Sequence, residues 1–111
     1  MTFICKLDSL IPDRAEVRHI ESSHGPLSIV IVSKNKRVYA YENKCPHGWV
    51  SLESASTEIN SGCKQYIQCS SHFAQFRMED GLCVYGPCQG QSLIKLDIQV
   101  KMNDIYYTGH A

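Results

Sequence analysis

Two short segments of the chain each combine one thiol with one imidazole, the side chains that most often bind transition metals in proteins. The first segment is Cys45-Pro46-His47 and the second is Cys69-Ser70-Ser71-His72. The stretch between them, residues 48–68, contains no histidine and is rich in residues that favour turns. Cys45, His47, Cys69 and His72 are therefore the candidate metal ligands.

The composition of the two pairs indicates a binuclear iron–sulfur cluster. Such a cluster has two irons, and each iron needs two protein ligands in addition to the bridging sulfides. If each segment supplies one ligand to each iron, Cys45 and Cys69 bind one iron, and His47 and His72 bind the other. Two sulfides and two thiolates then neutralise the two ferric irons, so this centre accepts an electron more readily than a four-cysteine centre. We therefore expect one [2Fe–2S] cluster per chain.

Two other roles for these residues stay open. A structural zinc site accepts the same ligands, although the single residue between Cys45 and His47 is a shorter spacing than zinc sites usually have. A zinc-stabilised interaction module without redox activity is thus the alternative from a different functional class. The even total of six cysteines would also permit disulfides. However, the N-terminus lacks the features of a secretion signal, and thiols stay reduced in the cytoplasm, where we expect this protein.

The hydrophobic pattern around the two segments is that of β-strands. Apolar residues alternate from Ile94 to Met102, and a turn at Asn103-Asp104 leads into a second strand to form a C-terminal hairpin. The second strand of this hairpin covers residues 105–108. Further short strands are predicted at residues 3–6, 17–20, 27–33, 38–41, 66–68, 76–78 and 82–85, with a short helical turn within 8–14. The strand 27–33 is predicted to be well buried. Both Cys/His segments follow a predicted strand. The sequence therefore predicts an all-β fold, an antiparallel β-sandwich or partly open barrel.

The composition excludes several functions. The chain has 111 residues, with 11 Lys and Arg against 11 Asp and Glu, so its formal net charge is zero. A nucleic-acid-binding domain would present a basic surface, and no apolar run is long enough to cross a membrane. The length predicts a single domain over residues 1–111, with the metal-binding part at about 43–90.

Several residues together resemble a known family. They are Cys45-Pro46-His47, Cys69-Ser70-Ser71-His72, Phe76, Gly81 and Gly86-Pro87. The two Cys/His segments are similar to the ligand motifs of Rieske-type [2Fe–2S] ferredoxins, and the Phe and Gly follow at that family's spacing. The Gly-Pro pair resembles the proline-containing loop that covers the cluster. The resemblance implies a Rieske-type β-sandwich with a small cluster-binding subdomain and a cluster held by the four candidate ligands.

For function, the resemblance implies an electron carrier and not an enzyme. Soluble Rieske ferredoxins of bacterial aromatic-ring-hydroxylating dioxygenase systems serve aromatic hydrocarbon catabolism. They pass single electrons from a flavin-containing or ferredoxin reductase to a terminal oxygenase. We therefore expect a monomer that docks transiently on both partners through the tip carrying His47 and His72. The alternative among redox proteins is a small Rieske subunit of another reductase, such as a nitrite reductase.

The chain departs from the high-potential members of this family. Val50 and Ser71 stand where those proteins have the cysteines of a disulfide, and Ala74 and Phe76 stand where they have a Ser and a Tyr that donate hydrogen bonds to sulfur. Because fewer donors stabilise an added electron less, we expect a potential near the low end of the family's range of roughly −150 to +300 mV. The segment Ser54–Lys64 lengthens the stretch between the two motifs, and we expect it to be a surface insertion.

Overall fold

The computed structural model of the chain describes residues 1–23, 25–46, 50–53, 59–61, 65–70 and 73–110. For residue 110 only the backbone is described. These residues form nine strands and one 3₁₀ helix. In chain order they are β1 (Thr2–Lys6), the 3₁₀ helix (Leu7–Ser9), β2 (Glu16–Ser22), β3 (Gly25–Lys34), β4 (Arg37–Glu42), β5 (Tyr66–Gln68), β6 (Gln75–Arg77), β7 (Cys83–Tyr85), β8 (Leu96–Lys101) and β9 (Asp104–His110). The all-β prediction is confirmed. Among the helices in these ranges, none has the length and apolar character needed to span a membrane.

The strands form three antiparallel sheets. Two larger sheets, with strand orders β1-β9-β8 and β2-β3-β4, make up what we call the basal sheets, and β5-β6-β7 is the small sheet. The basal sheets meet along β4 and β8, where Tyr41 and Lys95 form a bridge and the Glu42 N–H donates to the Ile94 carbonyl at 2.8 Å. This arrangement is the predicted antiparallel β-sandwich, with the small sheet as a subdomain.

Strand β3 organises the core because it is buried on both faces. Successive side chains of a strand point to opposite faces. Val30 and Val32 accordingly pack into a core shared with the small sheet, whereas Ile29 and Ile31 pack into a second core between the basal sheets. All four side chains are fully buried. The uninterrupted apolar run of β3, predicted as a well-buried strand, therefore fills two cores at once.

The C-terminal hairpin forms as predicted, but its apolar face is only partly buried. Leu96 is buried, whereas Val100 and Met102 are exposed. A register shift between Asp97 and Ile98 disturbs the alternation in β8, and Met102 lies in the turn that joins β8 to β9. The hairpin thus extends beyond the basal core, so alternation alone overestimated its burial.

The expectation of a surface insertion at Ser54–Lys64 is wrong for the centre of that segment. Residues 54–58 and 62–64 lie outside the described ranges, but Ile59, Asn60 and Ser61 are buried. The Ala15 N–H donates to Asn60 Oδ1 at 2.8 Å, and Asn60 Nδ2 donates to the Ala15 carbonyl at 3.0 Å. These bonds and the apolar side chain of Ile59 anchor the segment in the core.

Candidate metal centre

Both candidate cysteine ligands lie near the small sheet. We call the small sheet, together with the loops that carry these cysteines, the cluster-binding end. Cys45 follows β4, and Cys69 directly follows β5. Both side chains are fully buried and belong to the same core. The structure thus brings the two thiols into one region, as expected for ligands of one iron. His47 and His72, the candidate imidazole ligands, lie outside the described residues.

The two cysteines begin loops that are closed in the same way. We define loop 1 as residues 45–50 and loop 2 as residues 69–74. The Cys45 N–H donates to the Val50 carbonyl at 2.6 Å, and the Cys69 N–H donates to the Ala74 carbonyl at 2.9 Å. In loop 2 the Phe73 N–H also donates to the Cys69 carbonyl at 2.9 Å. In each loop, the backbone N–H of the cysteine is therefore bonded to the carbonyl five residues further along the chain.

A buried serine ties the two loops together. The N–H and the Oγ of Ser70 both donate to the Leu52 carbonyl, at 2.8 Å and 2.7 Å. Leu52 follows loop 1 and is fully buried. Loop 2 is therefore held by two bonds to one carbonyl of the segment that follows loop 1.

A buried asparagine ties the same segment to the basal sheets. Asn43 Oδ1 accepts the Leu52 N–H at 2.9 Å. Its backbone N–H donates to the Ser28 carbonyl at 2.9 Å, and its Nδ2 donates to Ser28 Oγ at 3.0 Å. Asn43, Leu52 and Ser70 thus connect β3 to both loops through hydrogen bonds.

Asn43 and Ser70 are positioning residues that the sequence reasoning missed. One stands two places before Cys45 and the other directly after Cys69. A signal was present, because asparagine and serine beside a ligand often hydrogen-bond to nearby backbone groups. Their partners are distant in the sequence, however, and no local pattern identifies them.

A third loop, which we define as residues 86–90, packs against loop 2. Gly86 has a φ of 105°, and a Cβ at this position would lie 2.7 Å from Ala74 Cα. Such a contact is closer than atoms can approach, so only glycine allows loop 3 to lie here. The Gly90 N–H donates to the Cys83 carbonyl at 3.1 Å, which holds the other end of loop 3 on β7.

Loop 3 also brings a third thiol to the site. Cys88 is buried, and its Sγ lies 3.2 Å from Cys83 Sγ. The Cys88 side chain is also hydrogen-bonded to Cys45. Burial, together with the neighbouring Cys83 and Cys45 thiols, raises the pKa of Cys88 to about 12. Cys88 is therefore a protonated thiol beside a candidate ligand.

The fold and the two paired loops define a small β-domain with thiols placed for an iron–sulfur cluster. The Rieske [2Fe-2S] domain family matches residues 2–102, and the chain belongs to this family. It accordingly carries one Rieske-type [2Fe–2S] cluster. The residues present fit this group, because two buried thiols that share one core are the donor set that one iron of the cluster requires.

Solved structures share the fold. The ferredoxin of carbazole 1,9a-dioxygenase from Nocardioides aromaticivorans IC177 aligns with a TM-score of 0.72 and 21% identity, over 98% of this chain and 99% of that chain. A complex of reduced oxygenase and oxidised ferredoxin in carbazole 1,9a-dioxygenase aligns with a TM-score of 0.71 and 21% identity, over 96% and 91%.

The same fold is found within a larger protein. The terminal oxygenase of carbazole 1,9a-dioxygenase from Novosphingobium sp. KA1 aligns with a TM-score of 0.77 and 14% identity, over 96% of this chain but 29% of that chain. No curated protein matches the sequence. At these identities the structural likeness establishes the fold.

Proposed function

We propose that this protein is a one-electron carrier, a Rieske ferredoxin that takes electrons from a reductase and delivers them to a terminal ring-hydroxylating oxygenase. The observation that carries this proposal is the pair of buried thiols, one at the start of each of two loops, in a Rieske-family domain. The alignment over nearly the whole length of a dioxygenase ferredoxin supports it. So does the likeness to the complex of reduced oxygenase and oxidised ferredoxin in carbazole 1,9a-dioxygenase.

Within this proposal, Cys45 and Cys69 hold one iron, and His47 and His72 hold the other. When bound, the cluster supplies reversible one-electron chemistry. The protein around it excludes water from the cysteine side, where both thiols are fully buried. Ser70 and Asn43 keep the two cysteine-bearing loops at a fixed separation, which limits the structural change that accompanies a change in charge.

The surface of this end fits transient docking. Three large apolar side chains among the described residues are exposed near the site: Val50 ends loop 1, Phe73 belongs to loop 2, and Tyr85 ends β7 just before loop 3. Apolar and aromatic side chains of this kind form the centre of many protein–protein interfaces. We propose that these three side chains contact the oxygenase and the reductase in turn.

The buried side chains near the loops favour a low reduction potential. Ala74 and Phe76 are fully buried, and neither side chain can donate a hydrogen bond. An added electron on the cluster is therefore stabilised less than in relatives with a Ser and a Tyr at these positions. Voltammetry should give a potential near the low end of the family's range, and a clearly positive potential would contradict this assignment.

The function is tested by spectroscopy with a matched pair of variants. The purified protein should be red-brown and, when reduced, should give the rhombic EPR signal of a mixed His/Cys centre. Cys69→Ala should abolish both signals, because it removes an iron ligand. Cys5→Ala alters a buried thiol in the basal core and should leave both signals unchanged. His72→Cys should move the spectrum towards the all-cysteine type or abolish the centre.

The alternatives predict different results. A colourless, folded, zinc-containing protein from iron-replete cells would support a zinc-stabilised module and end the electron-carrier proposal. In the redox alternative, a red-brown protein would instead purify as a permanent subunit of another reductase and pass no electrons to an oxygenase. This result would support the alternative function as a Rieske subunit of that reductase. Reduction by a flavin-dependent reductase followed by oxidation by a terminal oxygenase would support the proposed carrier.

A further inference from the structure

Cys83 and Cys88 form a close pair of thiols that the proposed cluster ligation does not use. Their Sγ atoms are 3.2 Å apart. The sulfur atoms of a disulfide are about 2.05 Å apart, so a movement of roughly 1.2 Å separates this pair from bonding distance. Cys5, the buried thiol of the basal core, lies in a separate cluster from this pair.

The backbone holds the two cysteines side by side. The Cys83 N–H donates to the Gln91 carbonyl at 2.8 Å, and the Gln91 N–H donates to the Cys88 carbonyl at 2.9 Å. Cys83 therefore stays on β7 while Cys88 faces it from loop 3. Gly86 and Gly90 flank Cys88 and both have positive φ angles. Glycines at both ends allow loop 3 to make the small adjustment that a new bond requires.

We propose that Cys83 and Cys88 are a redox-active dithiol, which a low-molecular-weight disulfide such as oxidised glutathione converts to an intramolecular disulfide. This inference is independent of the proposed electron-carrier function. It assigns a reversible modification site to the contact between loop 3 and β7.

The chemistry balances as two exchange steps. The Cys88 sulfur attacks one sulfur of oxidised glutathione, the glutathione S–S bond breaks, and one reduced glutathione leaves with the Cys88 proton. The Cys83 sulfur then attacks Cys88 Sγ, the mixed disulfide breaks, and a second reduced glutathione leaves with the Cys83 proton. Two cysteines are oxidised, and one glutathione disulfide is reduced to two thiols.

The disulfide would alter the site in two ways. It would tie loop 3 to β7 by a covalent bond in place of the hydrogen bond between the two thiols. It would also remove the Cys88 S–H from the neighbourhood of Cys45. Because both thiols are buried, the reaction requires loop 3 to open and should be slow.

The test is thiol mapping of the cluster-loaded protein. The protein is equilibrated in buffers of increasing ratio of oxidised to reduced glutathione, blocked with N-ethylmaleimide and digested with trypsin. Both cysteines fall on the peptide 78–95, which contains no other cysteine, and Cys5 falls on the peptide 1–6. Peptide 78–95 should lose both labels and the mass of two hydrogens as the ratio rises, while peptide 1–6 stays labelled.

Other results would overturn the proposal. These are a doubly labelled peptide 78–95 at every ratio, a glutathione adduct without the internal disulfide, or a disulfide to Cys45. The same holds if the disulfide forms only after visible absorption is lost. Cys83→Ser should convert the product to a glutathione adduct at Cys88, and Cys5→Ser should leave the disulfide unchanged. The wild-type map decides the question even if Cys83→Ser does not fold.

Discussion

The basal sheets and the cluster-binding end hold their backbones in place by different means. In the basal sheets, β2 pairs with β3 from Glu16 to Ser22, and β3 pairs with β4 over Ile29 to Lys34. The strands of the small sheet are three residues long, and the described residues of loops 1 and 2 belong to no strand. There the backbone is fixed by loop-closing bonds and by Asn43 and Ser70.

This difference follows from what each region does. A regular sheet spreads its stability over many equivalent hydrogen bonds, so that the loss of one has a small effect. Loops that present metal ligands need irregular backbone, and a few specific contacts must then satisfy it. Single substitutions at the cluster-binding end should therefore cost more than matched substitutions in the basal sheets.

Two glycines with nearly the same backbone angle give the largest expected contrast. Gly86 and Gly25 have φ angles of 105° and 106°. A side chain at such an angle costs about 1–3 kcal/mol at either position. Gly25 has open space around it, whereas a Cβ at Gly86 would meet backbone atoms of Ala74. Gly86→Ala should therefore lower the unfolding free energy by more than about 3 kcal/mol.

Urea unfolding of Gly86→Ala and Gly25→Ala, together with the iron content of each, measures this contrast. Gly25→Ala should retain its iron, and Gly86→Ala should lose part of it. Equal destabilisation of the two variants, with equal iron content, would show that the contact between loop 3 and loop 2 contributes neither to stability nor to iron retention.

Two asparagines give the next contrast. Asn43→Ala leaves the buried Leu52 N–H without its acceptor, which should cost about 1–3 kcal/mol. Asn103 accepts the Asp8 N–H at 3.1 Å in an exposed turn of the basal region, where water can replace it. Asn103→Ala should thus cost less than about 1 kcal/mol.

The rate of cluster loss separates these variants further. Bleaching of the visible absorption under a chelator should be faster in Asn43→Ala than in the wild type and unchanged in Asn103→Ala. If both variants bleach at the wild-type rate, the link from β3 through Asn43 to the loops has no role in holding the cluster.

Much of the site could be predicted from sequence because its signals are local. Cys45 lies shortly after a predicted strand and Cys69 directly after another, and strand β5 has the predicted bounds, residues 66–68. The continuous apolar run in β3 predicted a well-buried strand. Patterns of this kind depend only on neighbouring residues, and neighbouring residues determine where strands end.

The remaining features depend on contacts between distant residues. The bonds between Asn60 and Ala15 join positions 45 residues apart, and those of Ser70 to Leu52 join positions 18 apart. The contact between Cys88 and Cys45 likewise depends on the tertiary fold, because the two residues are distant in the sequence. No periodicity encodes such pairs. For this reason the burial of the segment around Ile59 was predicted wrongly and the roles of Asn43 and Ser70 were missed.

The smallest expected contrast is in the pH dependence of stability. At the cluster-binding end, the Arg77 guanidinium pairs with Asp80 and lowers the pKa of that carboxyl. In the basal sheets, Asp104 accepts a hydrogen bond from Lys6 at 2.7 Å and raises the pKa of that amine. The stabilisation from the Arg77–Asp80 pair should therefore be lost in acid, and that from the Lys6–Asp104 pair should be lost in alkali.

The direction of each effect follows from proton linkage. The pKa of Asp80 is lower in the folded state, so its contribution is present above the unfolded pKa of about 4 and is lost as pH falls through the folded pKa. The pKa of Lys6 is higher in the folded state, so its contribution is present below about pH 10 and is lost as pH rises through the folded pKa.

The variants Asp80→Asn and Lys6→Gln isolate these contributions. The difference in unfolding free energy between Asp80→Asn and the wild type should shrink from about pH 7 to about pH 3. Because solvent screens this partly exposed pair, the difference should stay below about 1 kcal/mol at neutral pH. The difference for Lys6→Gln should be constant over that range and shrink only under alkaline conditions. An acid-dependent difference for Lys6→Gln, or none for Asp80→Asn, would show that the two regions do not differ in this way.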